Sequence, residues 1–176
     1  MNDKKMTIKE PIAPLGDRLI AYIIDFFIVQ IPLLVGGILV LIAWGIGLAI
    51  EAGSGGGGDE IILIAMSIAG GISGLFWMGF DIYYLIFWVP RHEGQSIGKK
   101  VKNLRIVVVE DIETGKTRRM TSGDTGIMLL RLLFTLVDAL FFYIVGIYLI
   151  NSDPNGQRFA DQQAKTVVIL EEEPKK

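Results

Sequence analysis

Two arginine–aspartate pairs with the same spacing stand in the most apolar parts of the sequence. Arg18 precedes Asp25 in RLIAYIID, and Arg131 precedes Asp138 in RLLFTLVD, seven positions apart in both cases. Residues i and i+7 lie two turns apart on one face of a helix, about 10 Å along its axis. Because an arginine guanidinium binds a carboxylate with two parallel hydrogen bonds, each spacing predicts an ion pair within one helix.

A third aspartate, Asp81, stands in another apolar run, ten residues before Arg91. If its helix runs in the opposite direction, Asp81 lies about 15 Å inward from Arg91. Asp25, Asp81 and Asp138 are then predicted to share one layer near the inner membrane surface. Two arginines face three aspartates, which leaves one carboxylate without a fixed cation. Such a carboxylate favours its neutral form and is able to hold a proton or a small cation.

The same charges also have a structural interpretation. Buried ion pairs can fix the register of packed helices, whereas an ionisable group inside a membrane is a functional candidate by default. Both interpretations stay open for Asp25, and the structural one is favoured for Asp81 and Asp138. Arg158 and Asp161, three residues apart, share one face if their segment is helical. We expect a cytoplasmic salt bridge between these two residues.

Long apolar runs must position these residues. Residues 19–50 and 61–89 contain one charged residue each and exceed the roughly 20 apolar residues that a helix needs to cross a bilayer. Of the whole chain, 51% is hydrophobic, more than a soluble domain of this length requires. The sequence therefore predicts a membrane protein with two full transmembrane helices.

The distribution of charge predicts the orientation of the chain. The lead, residues 1–17, carries Lys4, Lys5 and Lys9, and the loop, residues 90–125, is basic. Both are expected in the cytoplasm, where loops with lysine and arginine stay. The acidic, glycine-rich residues 51–60 are expected outside. Within the loop, Lys99, Lys100 and Lys102 are expected to face anionic lipids of the inner leaflet, which attract each lysine by roughly 1 kcal/mol.

The fold class that we expect is an all-α membrane protein with a small cytoplasmic β element. β-branched residues at 104–110 and 166–170, with a further strand after the turn at Gly115, predict that element. If the strand in the tail, residues 151–176, joins the sheet, residues 126–150 must leave the cytoplasm and return. These residues are too few for two crossings, so a short helical hairpin turning near 138–143 is favoured over a third span. Residues 18–150 would form the membrane domain.

The sequence gives little support for metal binding, nucleotide binding or catalysis. The chain has no cysteine and one histidine, His92, which excludes thiolate sites and histidine-rich metal sites. GQSIGKK is only superficially like a phosphate-binding loop, because three residues rather than four separate its glycines. We expect no enzymatic activity, no cofactor and no nucleic-acid partner.

Four segments of the sequence resemble one known family: GDRLIAYIIDFFIV, GQSIGKKVKNLRIV, LLRLLFTLVDALFFYIVGIYLI and GQRFADQQAKTVVI. They are similar to the RDD family of bacterial membrane proteins, which is named after one arginine and two aspartates. Arg18 and Asp25 match the arginine and the first aspartate. Asp161 is matched to the second aspartate, with Asp138 as its rival. The family tail usually reads R-x-L-x-D-x-x-A-G-T, whereas this chain has Lys165 in place of the glycine.

The resemblance implies the architecture and suggests transport of unidentified ligands. Our first hypothesis is a homo-oligomer in the bacterial inner membrane, with a cytoplasmic N-terminus, that transports or couples protons or monovalent cations. Asp25 would be its exchange site, Arg18 the tether of Asp25, and Asp81 and Asp138 the neighbours. The alternative is a non-transporting scaffold or assembly protein that binds anionic lipid or a cytoplasmic partner through its basic loop.

Overall fold

The structure is a computed structural model that describes residues 8–54, 59–111, 114–140 and 144–171. The described chain divides into two compact units. One unit, here called the mixed unit, falls within Met1–Asp25 and Tyr83–Lys176, and the other, the helical unit, falls within Phe26–Ile82.

Two long helices contain the first two apolar runs. Helix α1 spans Leu15–Ser54 and helix α2 spans Asp59–Ile82. A π-helical segment, Tyr83–Trp88, and a short helix, α3 (Val89–Arg91), follow α2 directly. The stretches Leu15–Gly53 and Ile62–Arg91 are long and apolar enough to cross a membrane, in agreement with the two spans that the sequence predicts.

The helical unit packs through small residues. A Cβ atom added to Gly36 would lie 2.3 Å from the Cβ of Ser73, so the two backbones approach closely there. The indole N–H of Trp77 donates to the side-chain oxygen of Gln30 at 3.0 Å. Close approach through small residues is usual for helices in lipid, where no hydrophobic effect drives association. Large apolar side chains of this unit remain exposed, among them Leu34, Leu41, Leu63, Leu75 and Phe76.

The mixed unit contains a three-stranded antiparallel sheet in the order β2-β1-β3. Strand β1 spans Leu104–Asp111, β2 spans Lys116–Arg119 and β3 spans Thr166–Leu170. The predicted pairing of the C-terminal strand with the hairpin is confirmed, with Val107 opposite Val167.

Strand β1 is central and is covered on both faces. Leu104, Ile106 and Val108 pack in one hydrophobic cluster, whereas Val107 and Val109 pack in another. Alternate residues of a strand point to opposite faces of the sheet, so the β-branched run fills two layers. The first cluster includes Ala21 from α1, Val89 from α3 and Met128 from the helix that follows the sheet hairpin.

Four shorter helices complete the mixed unit. Helix α4 spans Ile97–Val101, α5 spans Thr125–Leu140, α6 spans Ile144–Ser152 and α7 spans Phe159–Gln163. Two separate helices, α5 and α6, thus occupy the region predicted as a helical hairpin. The predicted turn lies partly outside the described residues, as does the side chain of Asp138. The described residues are mostly helical, and the β element that the sequence predicts is a three-stranded sheet.

Candidate functional site

Helix α4 begins against α1, and a glycine makes this contact possible. Ser96 is the N-cap of α4. A Cβ atom on Gly98 would lie 2.1 Å from the backbone oxygen of Ala21 and 3.0 Å from the side-chain carbon of Asp25. Because only glycine allows so close an approach of two backbones, Gly98 brings the first turn of α4 up to Asp25.

The Asp25 side chain is buried, with 7% of the residue exposed, and its two oxygens bind several donors. The hydroxyl of Tyr84 donates at 2.7 Å, the hydroxyl of Ser96 at 2.5 Å and the backbone N–H of Gly98 at 2.8 Å. The ammonium of Lys99 lies 3.7 Å from the second oxygen. These five residues form what we call the Asp25 cluster. The N-terminus of a helix favours a negative charge, so Asp25 also complements the first turn of α4.

Tyr84 joins three elements through one hydroxyl group. The residue is only 3% exposed and lies in the π-helical segment. While its hydroxyl donates to Asp25, the hydroxyl oxygen accepts the backbone N–H of Ile97 at 2.9 Å. A π-helical turn holds one more residue than an α-helical turn and is frequent at functional sites. Here the segment carries the side chain that connects α1 and α4.

Lys99 links the Asp25 cluster electrostatically to a second group of charges. Burial lowers the pKa of Lys99 to about 8, and the nearby Asp25 carboxylate offsets only part of that shift. Arg131 and Arg158 lower the pKa of Lys99 further, whereas Asp161 raises it. The ammonium also donates to the Ser96 hydroxyl at 3.2 Å.

The second group, here called the Asp161 cluster, consists of Arg131, Arg158, Asp161 and Thr166. Arg131 and Asp161 are 4% and 1% exposed, and their Nη2 and Oδ1 atoms lie 2.6 Å apart. Arg131 also donates to the hydroxyl of Thr166 at 2.5 Å. Burial by itself would raise the pKa of Asp161, but the charges of Arg131, Arg158 and Arg18 outweigh it and lower that pKa.

Arg158 and Asp161 form the contact that their spacing predicts. The Arg158 Nε atom lies 3.7 Å from an oxygen of Asp161. Arg158 is the N-cap of α7, and its backbone N–H donates to the same carboxylate at 3.4 Å. The Asp161 carboxylate therefore satisfies the start of its own helix while it neutralises Arg131.

Arg18 binds backbone carbonyls rather than a carboxylate. Its guanidinium donates to Ala13 at 3.0 Å, to Val168 at 2.9 Å and to Gly156. The predicted pair of Arg18 with Asp25 is therefore wrong, although both residues lie on α1. The guanidinium instead connects the start of α1 to β3 and to the turn before α7.

The predicted pair of Arg131 with Asp138 stays a prediction, because the side chain of Asp138 is outside the described part of the chain, but Arg131 has another carboxylate partner. Helix α7 packs against α5 and places Asp161 beside Arg131, so the charge is neutralised by a residue far along the chain. Asp81 lies in the helical unit, is partly exposed, and has no hydrogen-bonded or ionic partner among the described residues. The predicted layer of three aspartates stays a prediction, because Asp25 and Asp81 lie in separate units and the Asp138 side chain is outside the described part.

The three lysines predicted to face lipid have different surroundings. Lys99 belongs to the Asp25 cluster, and Lys102 pairs with Asp17 at 2.9 Å. Lys100 is exposed. Two of the three charges are thus neutralised within the mixed unit.

Three partners of Asp25 are not predicted by the sequence analysis. Tyr84, Ser96 and Gly98 are 59, 71 and 73 residues further along the chain. One signal was present, because serine is a preferred N-cap residue and a helix N-terminus attracts a carboxylate. GQSIGKK is therefore a helix start that receives a carboxylate of the protein itself.

These observations define a class of protein. It is a mostly helical chain with two helices long and apolar enough to cross a membrane, joined to a sheet-containing unit with buried charge clusters. Residues 12–165 match the model of the RDD family, and the chain belongs to this family. No curated protein and no solved structure matches the chain.

Proposed function

We propose that this RDD protein is a non-transporting membrane scaffold, anchored by α1 and α2, whose mixed unit binds partners at the cytoplasmic surface. The observation that carries this proposal is the engagement of both oxygens of Asp25 by Tyr84, Ser96, Gly98 and Lys99. A carboxylate that exchanges a proton or cation has to leave such partners in every cycle. Breaking one side of a buried charge contact costs roughly 3–5 kcal/mol, which suits a permanent contact better than an exchange site.

The chain segments that pack together in the mixed unit support one orientation of the chain in the membrane. Residues from before α1, from between α2 and α5, and from after α6 pack in this single unit. Ile12 pairs with Ile169, and Leu104 pairs with Leu170, which supports a topology in which these three parts of the chain share one side of the membrane. Because the segment between α2 and α5 is basic, we propose that this side is the cytoplasm of a bacterial cell and that the membrane is the inner one.

Ion flux in proteoliposomes tests the scaffold proposal. The full-length protein is reconstituted, and the decay of H⁺, Na⁺ and K⁺ gradients is followed against empty vesicles. We expect equal decay with and without the protein, and we expect Asp25→Asn to reduce stability without changing flux. A gradient that decays faster with the protein, and that Asp25→Asn restores, would overturn the proposal.

A second candidate function, proton or monovalent-cation coupling, is favoured by Asp81. This carboxyl group stands in the apolar part of α2 and has no described partner, as a group that takes up and releases an ion requires. Several copies of the chain would be needed to surround a path, so this function implies the homo-oligomer. It predicts flux that Asp81→Asn abolishes and that Glu60→Gln, the matched change of an exposed acid on the same helix, leaves intact.

A further inference from the structure

The basic residues that follow α2 are largely neutralised by carboxylates of the mixed unit. The pairs are Lys99 with Asp25, Lys102 with Asp17, Arg105 with Glu93 and Glu171, Lys116 with Glu110, Arg118 with Asp124, and Arg119 with Glu93 and Glu171. Two cations of this stretch, Arg91 and Lys100, have no carboxylate partner among the described residues. Both side chains are exposed.

These two cations line one groove. The groove has a volume of about 390 Å³, and its walls also include Trp88, His92 and Ile97. The rings of Trp88 and His92 stack at 4.0 Å between centroids. Glu93 also lines the groove, but its carboxylate is bound by Arg105 at 2.9 Å and by a second arginine. The free charge in this groove is therefore positive.

The elements that line the groove also carry exposed apolar side chains. Ile97 and Val101 are 41% and 62% exposed and lie four residues apart, which places them on one face of α4. Phe87, at the end of the π-helical segment, is 40% exposed. The membrane-crossing candidate that contains Phe87 ends at Arg91. Trp88, which lines the groove, is an amphipathic aromatic residue of the kind that favours the headgroup level of a bilayer. With this stretch in a membrane, the two cations would stand where it meets the polar headgroups.

We propose that this groove binds the phosphate group of an anionic phospholipid, with Arg91 and Lys100 as its cationic partners. An arginine holds two phosphate oxygens at once, and a lysine contributes a point charge. The exposed face formed by Ile97 and Val101 would lie against the acyl chains, a contact that a soluble phosphate compound does not make. The inference rests on the proposed function and deepens it, because it names the partner of the scaffold.

Lipid retention measured by native mass spectrometry tests this inference. The full-length protein is released from nanodiscs that contain phosphatidylcholine with or without phosphatidylglycerol. We expect the wild type to retain phosphatidylglycerol, and Arg91→Gln/Lys100→Gln to bind it at least roughly tenfold more weakly, since each cation near the surface contributes to the attraction. The control Lys9→Gln/Lys116→Gln removes two exposed charges outside the groove and should retain the lipid.

Several outcomes would overturn the inference. Equal retention in both double variants excludes the groove, and equal loss in both shows only a general effect of net charge. Competition by glycerol phosphate at equal affinity would identify a soluble anion as the ligand. The proposed function fails separately, if alkaline carbonate extracts the protein from membranes or if the protein dissipates an ion gradient. If the protein stays in the membrane but shows no preference for phosphatidylglycerol, the lipid-binding inference is wrong. The scaffold proposal is not affected by that result.

Discussion

The hydroxyl of Tyr84 donates a 2.7 Å hydrogen bond to the carboxylate of Asp25 across 59 residues of sequence. The same hydroxyl accepts the backbone N–H of Ile97, so one group contacts both α1 and α4. The position of α4 against α1 is thus fixed by side chains that belong to three different elements.

The first prediction concerns the coupling of Asp25 and Tyr84. Asp25→Asn removes the charge and turns one acceptor into a donor that faces other donors, so it should lower the free energy of unfolding by about 2–4 kcal/mol. Tyr84→Phe should lower it by about 1–2 kcal/mol, because the N–H of Ile97 loses its acceptor. In a double-mutant cycle by chemical unfolding in detergent micelles, the two losses should not add. Strict additivity would show that the hydrogen bond contributes nothing.

The second prediction concerns the crossing of α4 and α1 at Gly98. Gly98→Ala places a methyl group where the backbone oxygen of Ala21 lies 2.1 Å away, so the helices must separate. We expect a loss of about 2–3 kcal/mol or more in stability. Gly126→Ala is the matched control, since an added Cβ there meets nothing within 4 Å and alanine favours a helix by about 1 kcal/mol. Equal melting temperatures for the two variants would contradict this interpretation.

The third prediction concerns the buried pair of Arg131 and Asp161. Arg131→Met leaves a buried carboxylate without its nearest cation and should cost about 3–5 kcal/mol in unfolding free energy. Adding Asp161→Asn to that variant removes the remaining charge and should recover a substantial part of the loss. If the double variant is less stable than Arg131→Met, the capping of α7 by the Asp161 carboxylate outweighs its pairing with Arg131.

The fourth prediction is a pH dependence from Lys99. Its pKa is about 8 in the folded protein and close to 10.4 in an unfolded chain. Between these values the unfolded state binds more protons, so the free energy of unfolding should increase as the pH rises through that interval, by about 3 kcal/mol at most. Lys99→Met should lack this increase.

Lys116→Met is the comparison for that pH profile, because the carboxylate of Glu110 raises the pKa of the Lys116 ammonium instead. The difference between wild type and variant, measured by unfolding at several pH values, isolates each lysine from the other titrating groups. Parallel profiles for wild type and Lys99→Met would contradict the lowered pKa of Lys99.

The helices, the strands and the local pair of Arg158 with Asp161 follow from local signals, and the partners of Arg18 and Asp25 do not. Runs of apolar residues and of β-branched residues predict α1, α2 and β1 because hydrophobic pattern and local structure are coupled directly. The spacing of Arg18 and Asp25 shows only that both can lie on one face of a helix. Which atoms they meet depends on α4, β3 and α7, whose packing is set by tertiary contacts over the whole chain.

One departure from the family pattern has a geometric explanation. Lys165 follows the C-cap of α7 and has a φ of 51°, a left-handed conformation that glycine adopts without strain. The glycine that is common at this position in the tail of the RDD family suits that conformation. The sequence shows the substitution of glycine by lysine, but only the structure shows that Lys165 must adopt a left-handed backbone conformation.

The placement of β3 and α7 late in the chain has a consequence for biosynthesis. Arg131 is made thirty residues before Asp161, and Arg18 is made 150 residues before Val168, one of its acceptors. While the ribosome is still adding the intervening residues, both guanidinium groups lack these partners and one edge of β1 is open. A nascent chain interrupted before α7 therefore has guanidinium groups without these partners and an open strand edge, and such an edge can pair with another chain.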